Sequence, residues 1–163
     1  MGRVDRAIER IGRAASWLTL AIVVLMAANV LLRYAFSIGS VWSQELEWHL
    51  LAPLVLVGMT YALQQGEHVR VDIFYARYPE RTKAAIDLLA GVMALVMALL
   101  VIRYSINYVH QAFAINEVSS DPGGLTHRWL LKALIPLGFA LFALQALAQS
   151  VAAARRLTRA AAR

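Results

Sequence analysis

Cysteine is absent, which removes disulfides, thiolate metal sites and cysteine nucleophiles at once. Charge is scarce too. Asp, Glu, Lys and Arg make up 16% of the 163 residues, where soluble domains hold roughly 25%. No Ser, Thr or Lys stands in the pattern of a nucleophile with its base, and no two histidines sit at the i, i+4 spacing of a helical metal site. What fills the chain instead is apolar: 60% of residues are hydrophobic and the mean hydropathy is +0.59. The net charge of +6 does not point to nucleic acid, because the basic residues flank apolar blocks and do not gather on one aqueous face.

Crossing the hydrocarbon takes ~20 mostly apolar residues in a helix. Four segments meet that length: about 15–36, 46–63, 84–104 and 129–150. The runs are Leu/Ala-rich without strict alternation, so helices are expected and strands are not. The fold expected is therefore an all-α integral membrane protein, a single membrane domain over 1–163. The first run is longer than the ~7–15 residues of a secretory signal core, and Arg33-Tyr34 interrupts the place where cleavage would fall, so it reads as an uncleaved first span.

Lys and Arg set the direction. Twelve of the sixteen lie in the N-terminal arm (Arg3, Arg6, Arg10, Arg13), the second connection (Arg70, Arg77, Arg81, Lys83) and the C-terminal tail (Arg155, Arg156, Arg159, Arg163). Arg33, Arg103, Arg128 and Lys132 fall on the other side, with Glu45, Glu47, Glu117 and Asp121. Both termini are expected in the cytoplasm. Aromatic residues fit the same frame, with Trp17, Tyr61, Tyr75 and Tyr78 at one interface and Tyr34, Trp42, Trp48, Tyr104, Tyr108 and Trp129 at the other.

The connections carry their own signals. Val4, Ile8, Ile11 and Ala15 recur at helical spacing among arginines, as in a helix lying on the inner leaflet or extending the first span. Val71, Phe74, Tyr75 and Tyr78 give one apolar face to a short interfacial helix at about 71–78, and Pro79 suits the start of the third span. Ser119-Ser120-Asp121-Pro122-Gly123-Gly124 is dense in turn formers, and its two glycines allow positive φ without steric cost in a tight outer reversal. Gly58 with Ala62, and Ala90 with Ala94 and Ala98, offer small faces for close helix packing.

Ionisable groups inside a membrane are costly and usually functional, but here almost all lie near span ends. Arg33, Arg103 and Lys132 can snorkel to the outer headgroups, and Glu45 and Glu47 suit the positive end of a helix dipole. Lys132 opposes the dipole of the fourth span, which calls for an acidic partner among Glu45, Glu47, Glu117 and Asp121. Two independent four-helix readings compete. A small exporter needs a membrane-embedded carboxylate, and the first span has none. A haem-bearing electron-transfer subunit would use His49 and His110 as ligands, although two interfacial histidines are more often hydrogen-bonding residues.

Three blocks carry a resemblance across almost the whole chain: Asn29-Val30-Leu31-Leu32-Arg33-Tyr34 leading to Trp42-Ser43-Gln44-Glu45-Leu46; Gly66-Glu67-His68-Val69-Arg70-Val71-Asp72; and Asp121-Pro122-Gly123-Gly124-Leu125 followed by Arg128-Trp129, Lys132-Ala133 and Ile135-Pro136-Leu137-Gly138. Their order relative to four spans resembles the small membrane (Q) subunit of the tripartite ATP-independent periplasmic (TRAP) transporters. The resemblance implies a bacterial or archaeal cytoplasmic membrane and a non-catalytic scaffold for a large membrane subunit, which would carry the substrate and sodium sites. It also implies a periplasmic binding protein that delivers organic acids, and no cofactor in this chain. Carried over residue by residue, Arg33, Trp42 and Glu45 would organise the outer junction of spans one and two. His68, Arg70 and Asp72 would fix the inner connection, and Asp121, Lys132 and Pro136 would shape the outer turn and the start of span four. Glu117 and Asp121 are the candidates for docking the binding protein.

Overall fold

The computed structural model describes residues 3–66, 75 and 77–161, which hold four long helices and no strand. They are α1 (Arg3–Phe36), α2 (Val41–Gln65), α3 (Glu80–Ala114) and α4 (Trp129–Ala161). All four are long and apolar enough to cross a membrane. At 1.5 Å per residue, α1, α3 and α4 run about 50 Å and α2 about 37 Å, so all four outreach a ~30 Å hydrocarbon layer, α2 by the least. The apolar runs mark where lipid ends, whereas the helices stop only where the backbone is made to turn.

Those stops are specific. Ser37, at φ 55, closes α1 while its N–H donates to the Arg33 carbonyl at 3.1 Å and the Ile38 N–H to that of Leu32 at 3.1 Å. Ser40 then caps α2, its side chain accepting from the Ser43 N–H. Gly66 ends α2 in the left-handed region, at φ 77, where a Cβ would be strained. Pro79 stands immediately before α3, which has no side-chain cap. The interfacial helix expected at about 71–78 lies largely outside the described residues, as do His68, Arg70 and Asp72.

The helices form an open arrangement in the order α1, α2, α4, α3, with α1 also touching α4 lightly. The most apolar stretch of α4 is 22% buried and that of α1 only 6%, so α4 is the hub and α1 is peripheral. Ile8, Val57, Thr60 and Leu141 meet where α1, α2 and α4 converge. The N-terminal arm is thus the first turns of α1: Ile8 is buried, and Gln64 Nε2 donates to the Asp5 carbonyl at 2.6 Å.

The strongest seam joins α3 to α4. On α3 the buried residues are Ala84, Gly91, Ala98, Ser105 and Ala112, one in every seven. A strict seven-residue repeat keeps one stripe facing its partner if the helices wind gently about each other. Small side chains there let the backbones approach. On α4, Ala143, Ala146, Ser150 and Ala153 are also buried, and a Cβ at Gly91 would meet the Ser150 side chain. The face expected from Ala90, Ala94 and Ala98 is not the one used: Ala90 is exposed, because the seven-residue stripe passes through Ala98 and Gly91 instead. Gly58 likewise has no atom near its missing Cβ, so its expected close packing is not made within this chain. Between α2 and α4 the close approach falls at Gly138, where a Cβ would come within 2.6 Å of Leu56 Cβ.

Candidate functional site

Polar side chains concentrate at the end of the bundle that holds the α1–α2 and α3–α4 connections, here called the looped end. Glu45, in the second turn of α2, is 5% exposed and is the one charged residue among the buried polar residues described. Its carboxylate accepts from the Ser119 hydroxyl and, at 2.5 Å, from the Leu125 N–H. Both donors lie in the connection between α3 and α4, some 74–80 residues away in sequence. A buried carboxylate must have its lone pairs filled by donors, and this connection supplies them.

The connection is folded around that carboxylate. The Ser119 N–H donates to the Leu125 carbonyl at 3.1 Å, the Arg128 N–H to that of Glu117 at 3.1 Å, and the Gly124 N–H to that of Asp121 at 3.0 Å. Asp121 is exposed and its N–H donates to Ser119 Oγ at 3.2 Å. Of the two glycines, only Gly123 takes positive φ, at 81°. Gly124 serves a different need, since a Cβ there would lie 2.5 Å from Ser119 Cβ and Oγ and 2.7 Å from Glu45 Oε2, at the bond between them. One glycine makes the turn and the other makes room for the acid.

Two further contacts surround this clasp. Asn29 of α1 donates to Glu47 of α2 at 2.6 Å and accepts from the Ser43 hydroxyl. Lys132, in the first turn of α4, donates to Glu117 at 2.5 Å and stands 3.9 Å from the centre of the Tyr108 ring, so Glu117 is its acidic partner. Phe113 meets Trp129 edge to face at 5.3 Å beside it. His49 Nδ1 lies 2.8 Å from the Glu45 carbonyl oxygen, and His110 is exposed on α3.

Arg33 and Trp42 are exposed. Arg33 lines a groove of about 320 Å³ between α1 and α2 with Asn29, Gln44, Glu47 and Trp48. The α1–α2 junction is thus made by Asn29, Ser43 and Glu47, while Glu45 reaches across to the α3–α4 connection. Pro136 sits inside α4, two residues before the close pass of Gly138 over Leu56. It has no N–H, so the Lys132 carbonyl loses its usual helical donor. Ser119, Tyr108 and Gly124 were not singled out for these roles from sequence. The spacing gave no sign of them, because each contact joins segments far apart in the chain.

Apart from Ser43 and Glu45, the buried polar residues described are all uncharged: Thr60, Ser105, Gln145 and Ser150. Thr60, Ser105 and Ser150 return their hydroxyl protons to carbonyls of their own helices. The arrangement can therefore hold a loop against a helix bundle, and among the described residues no second buried charge accompanies Glu45.

Against known families, residues 22–156 match the DctQ component of the tripartite ATP-independent periplasmic transporters. A sialic acid TRAP transporter permease protein of Haemophilus influenzae is 27% identical over 118 residues, covering 72% of this chain and 18% of that protein. A C4-dicarboxylate TRAP transporter small permease protein of Vibrio cholerae is 31% identical over 90 residues, covering 55% of this chain and 39% of that protein. An ectoine TRAP transporter small permease protein of Halomonas elongata is 22% identical over 148 residues, covering 89% of this chain and 75% of the relative. The chain thus spans less than half the length of the first two of these relatives.

Proposed function

The chain belongs to the family of DctQ components of TRAP transporters, and from that premise we propose that it is the non-catalytic small membrane subunit of a sodium-coupled, binding-protein-dependent importer of organic acids. It stiffens a large membrane subunit that carries substrate and sodium. Both chain termini lie in the cytoplasm of a bacterium, and the looped end faces the periplasm. The observation that carries this reading is the distribution of buried polarity: the one buried charge described, Glu45, is spent on holding a loop, and the other buried polar residues described beyond Ser43, namely Thr60, Ser105, Gln145 and Ser150, are neutral. A transporter acting alone places polar or broken helices around its solute near the membrane midplane.

The connection around Glu117 and Asp121 is the candidate platform for the periplasmic binding protein. Asp121 is exposed, and Glu117 keeps part of its surface open beside Lys132. The named relatives are associated with a sialic acid, C4-dicarboxylates and ectoine, which share a carboxylate, and this supports an organic acid as the cargo.

Affinity purification of a tagged copy from its native membrane tests the reading. A large multi-span protein recovered in equal amount, with uptake lost when this chain alone is deleted, is the expected result. Solute transport by this chain reconstituted without any partner would overturn it.

A further inference from the structure

At the opposite, arginine-rich end, a groove of about 410 Å³ runs between the first turns of α3 and the last turns of α4. It is lined by Glu80, Arg81, Ala84, Arg156, Arg159 and Ala160. Three guanidiniums therefore share the groove with one carboxylate, and that carboxylate is engaged, since Glu80 accepts from Lys83 at 3.2 Å. Arg156 reaches Asp87 at 3.1 Å yet stays 58% exposed. Arg81 and Arg159 are exposed, and neither has an ion-pair partner among the described residues.

The depth of the groove matters as much as its charge. Arg81 stands just before the apolar run that starts near Ala84, and Arg156 and Arg159 follow the run that ends near Ser150. The groove thus falls where hydrocarbon gives way to water, at the level of headgroup phosphates. Each guanidinium presents a planar fork that matches two oxygens of a phosphate. Ala84 and Ala160 supply an apolar part of the same lining.

We propose that this groove binds the phosphodiester headgroup of an anionic membrane lipid. Arg81 and Arg159 hold the phosphate, and Arg156 divides its donors between the phosphate and Asp87. The inference rests on the groove alone and does not depend on the transport reading.

The test uses the full chain, in whatever complex it leaves the membrane with, examined by native mass spectrometry during titration with phosphatidylglycerol. Phosphatidylcholine and inorganic phosphate are run in parallel. The expected result is tight retention of phosphatidylglycerol over both. In Arg81→Gln/Arg159→Gln that affinity should fall by about fivefold for each arginine removed. Arg10→Gln/Arg155→Gln takes the same charge from outside the groove and should change it less than twofold. Equal losses in the two double variants would mean diffuse surface attraction and overturn the proposal. So would phosphatidylcholine binding as tightly as phosphatidylglycerol, or inorganic phosphate displacing the lipid, which would make this a free-anion site. Arg81→Lys/Arg159→Lys guards against misfolding: it keeps the charge, loses the fork, and should fall between wild type and the Gln pair.

Discussion

The two helical hairpins of this chain are held together by different means. The α3–α4 pair is joined by small buried residues seven apart on α3, from Ala84 to Ala112, with Gly91 passing Ser150 of α4 and Ala143, Ala146 and Ala153 buried on that same helix. The α1–α2 pair touches chiefly at its ends: Tyr61 packs on Gly12 at one, and Asn29 bonds Glu47 and Ser43 at the other. Grooves of about 270 Å³ and 320 Å³ open between them, one at Gly12, Thr19, Leu54 and Gly58 and one at Met26, Arg33 and Trp48. Lipid tails are as apolar as leucine, so helices in a membrane gain little by hiding from their solvent. Contact must come from shape or from hydrogen bonds, and this chain uses shape along α3–α4 and both kinds, one at each end, in α1–α2.

Four substitutions would break or sharpen that contrast. The largest effect is expected at Gly91, whose missing Cβ faces Ser150. Gly91→Leu should cost about 3 kcal/mol or more in equilibrium unfolding in mixed micelles, because a packed seam has no slack for a branched side chain. An unfolding curve like that of wild type would mean that the seam is not close-packed. Next is Glu45→Ala, which strips two donors of their acceptor and releases the connection over 115–128 from the bundle. Limited proteolysis within that connection should speed up about tenfold while the helices stay protected.

Asn29→Ala removes the polar tie of the looser hairpin. A loss of about 0.6 kcal/mol, and at most about 1.7, is expected, the average and the maximum for interhelical hydrogen bonds in membranes. A larger loss would show that α1–α2 relies on this one residue more than its end contacts suggest. Gly58→Ala is the smallest and has the opposite sign. Its added methyl meets nothing within 4 Å, so better helix propensity should leave stability unchanged or raise it by up to about 1 kcal/mol. Destabilisation there in the assembled membrane complex, but not in the isolated chain, would show that another protein fills the groove.

How far these features were legible in sequence follows from their range along the chain. Span positions were readable, since an apolar run of sufficient length has few other homes. Helix ends were less so, because Ala-, Arg- and Glu-rich flanks continue a helix beyond the lipid until a Ser37, Gly66 or Pro79 stops it. The stripe through Gly91 was present as a spacing of seven, yet Ala90, Ala94 and Ala98 offered a rival at a spacing of four. Nothing local decides between them, because the choice is made by where α4 lies. Lys132 signalled its need for an acid through its position at a helix start. Glu45 gave no equivalent sign that its donors lay beyond α3, since a carboxylate opening a helix has a sufficient reason to be there already. Gly124 looked like a turn residue and is a clearance for Glu45.

The central place of α4 has a consequence in time. It touches all three other helices and is the last of the four to be synthesised, so until residues 129–161 have emerged and inserted, α3 lacks its main partner among the described residues. The early product is a loose hairpin followed by a helix without its long seam. A nascent chain cut short before α4 would therefore lack its seam with α3 and its crossing with α2 together. It would lose its assembly at one stroke, where a chain built helix upon helix would lose it by degrees.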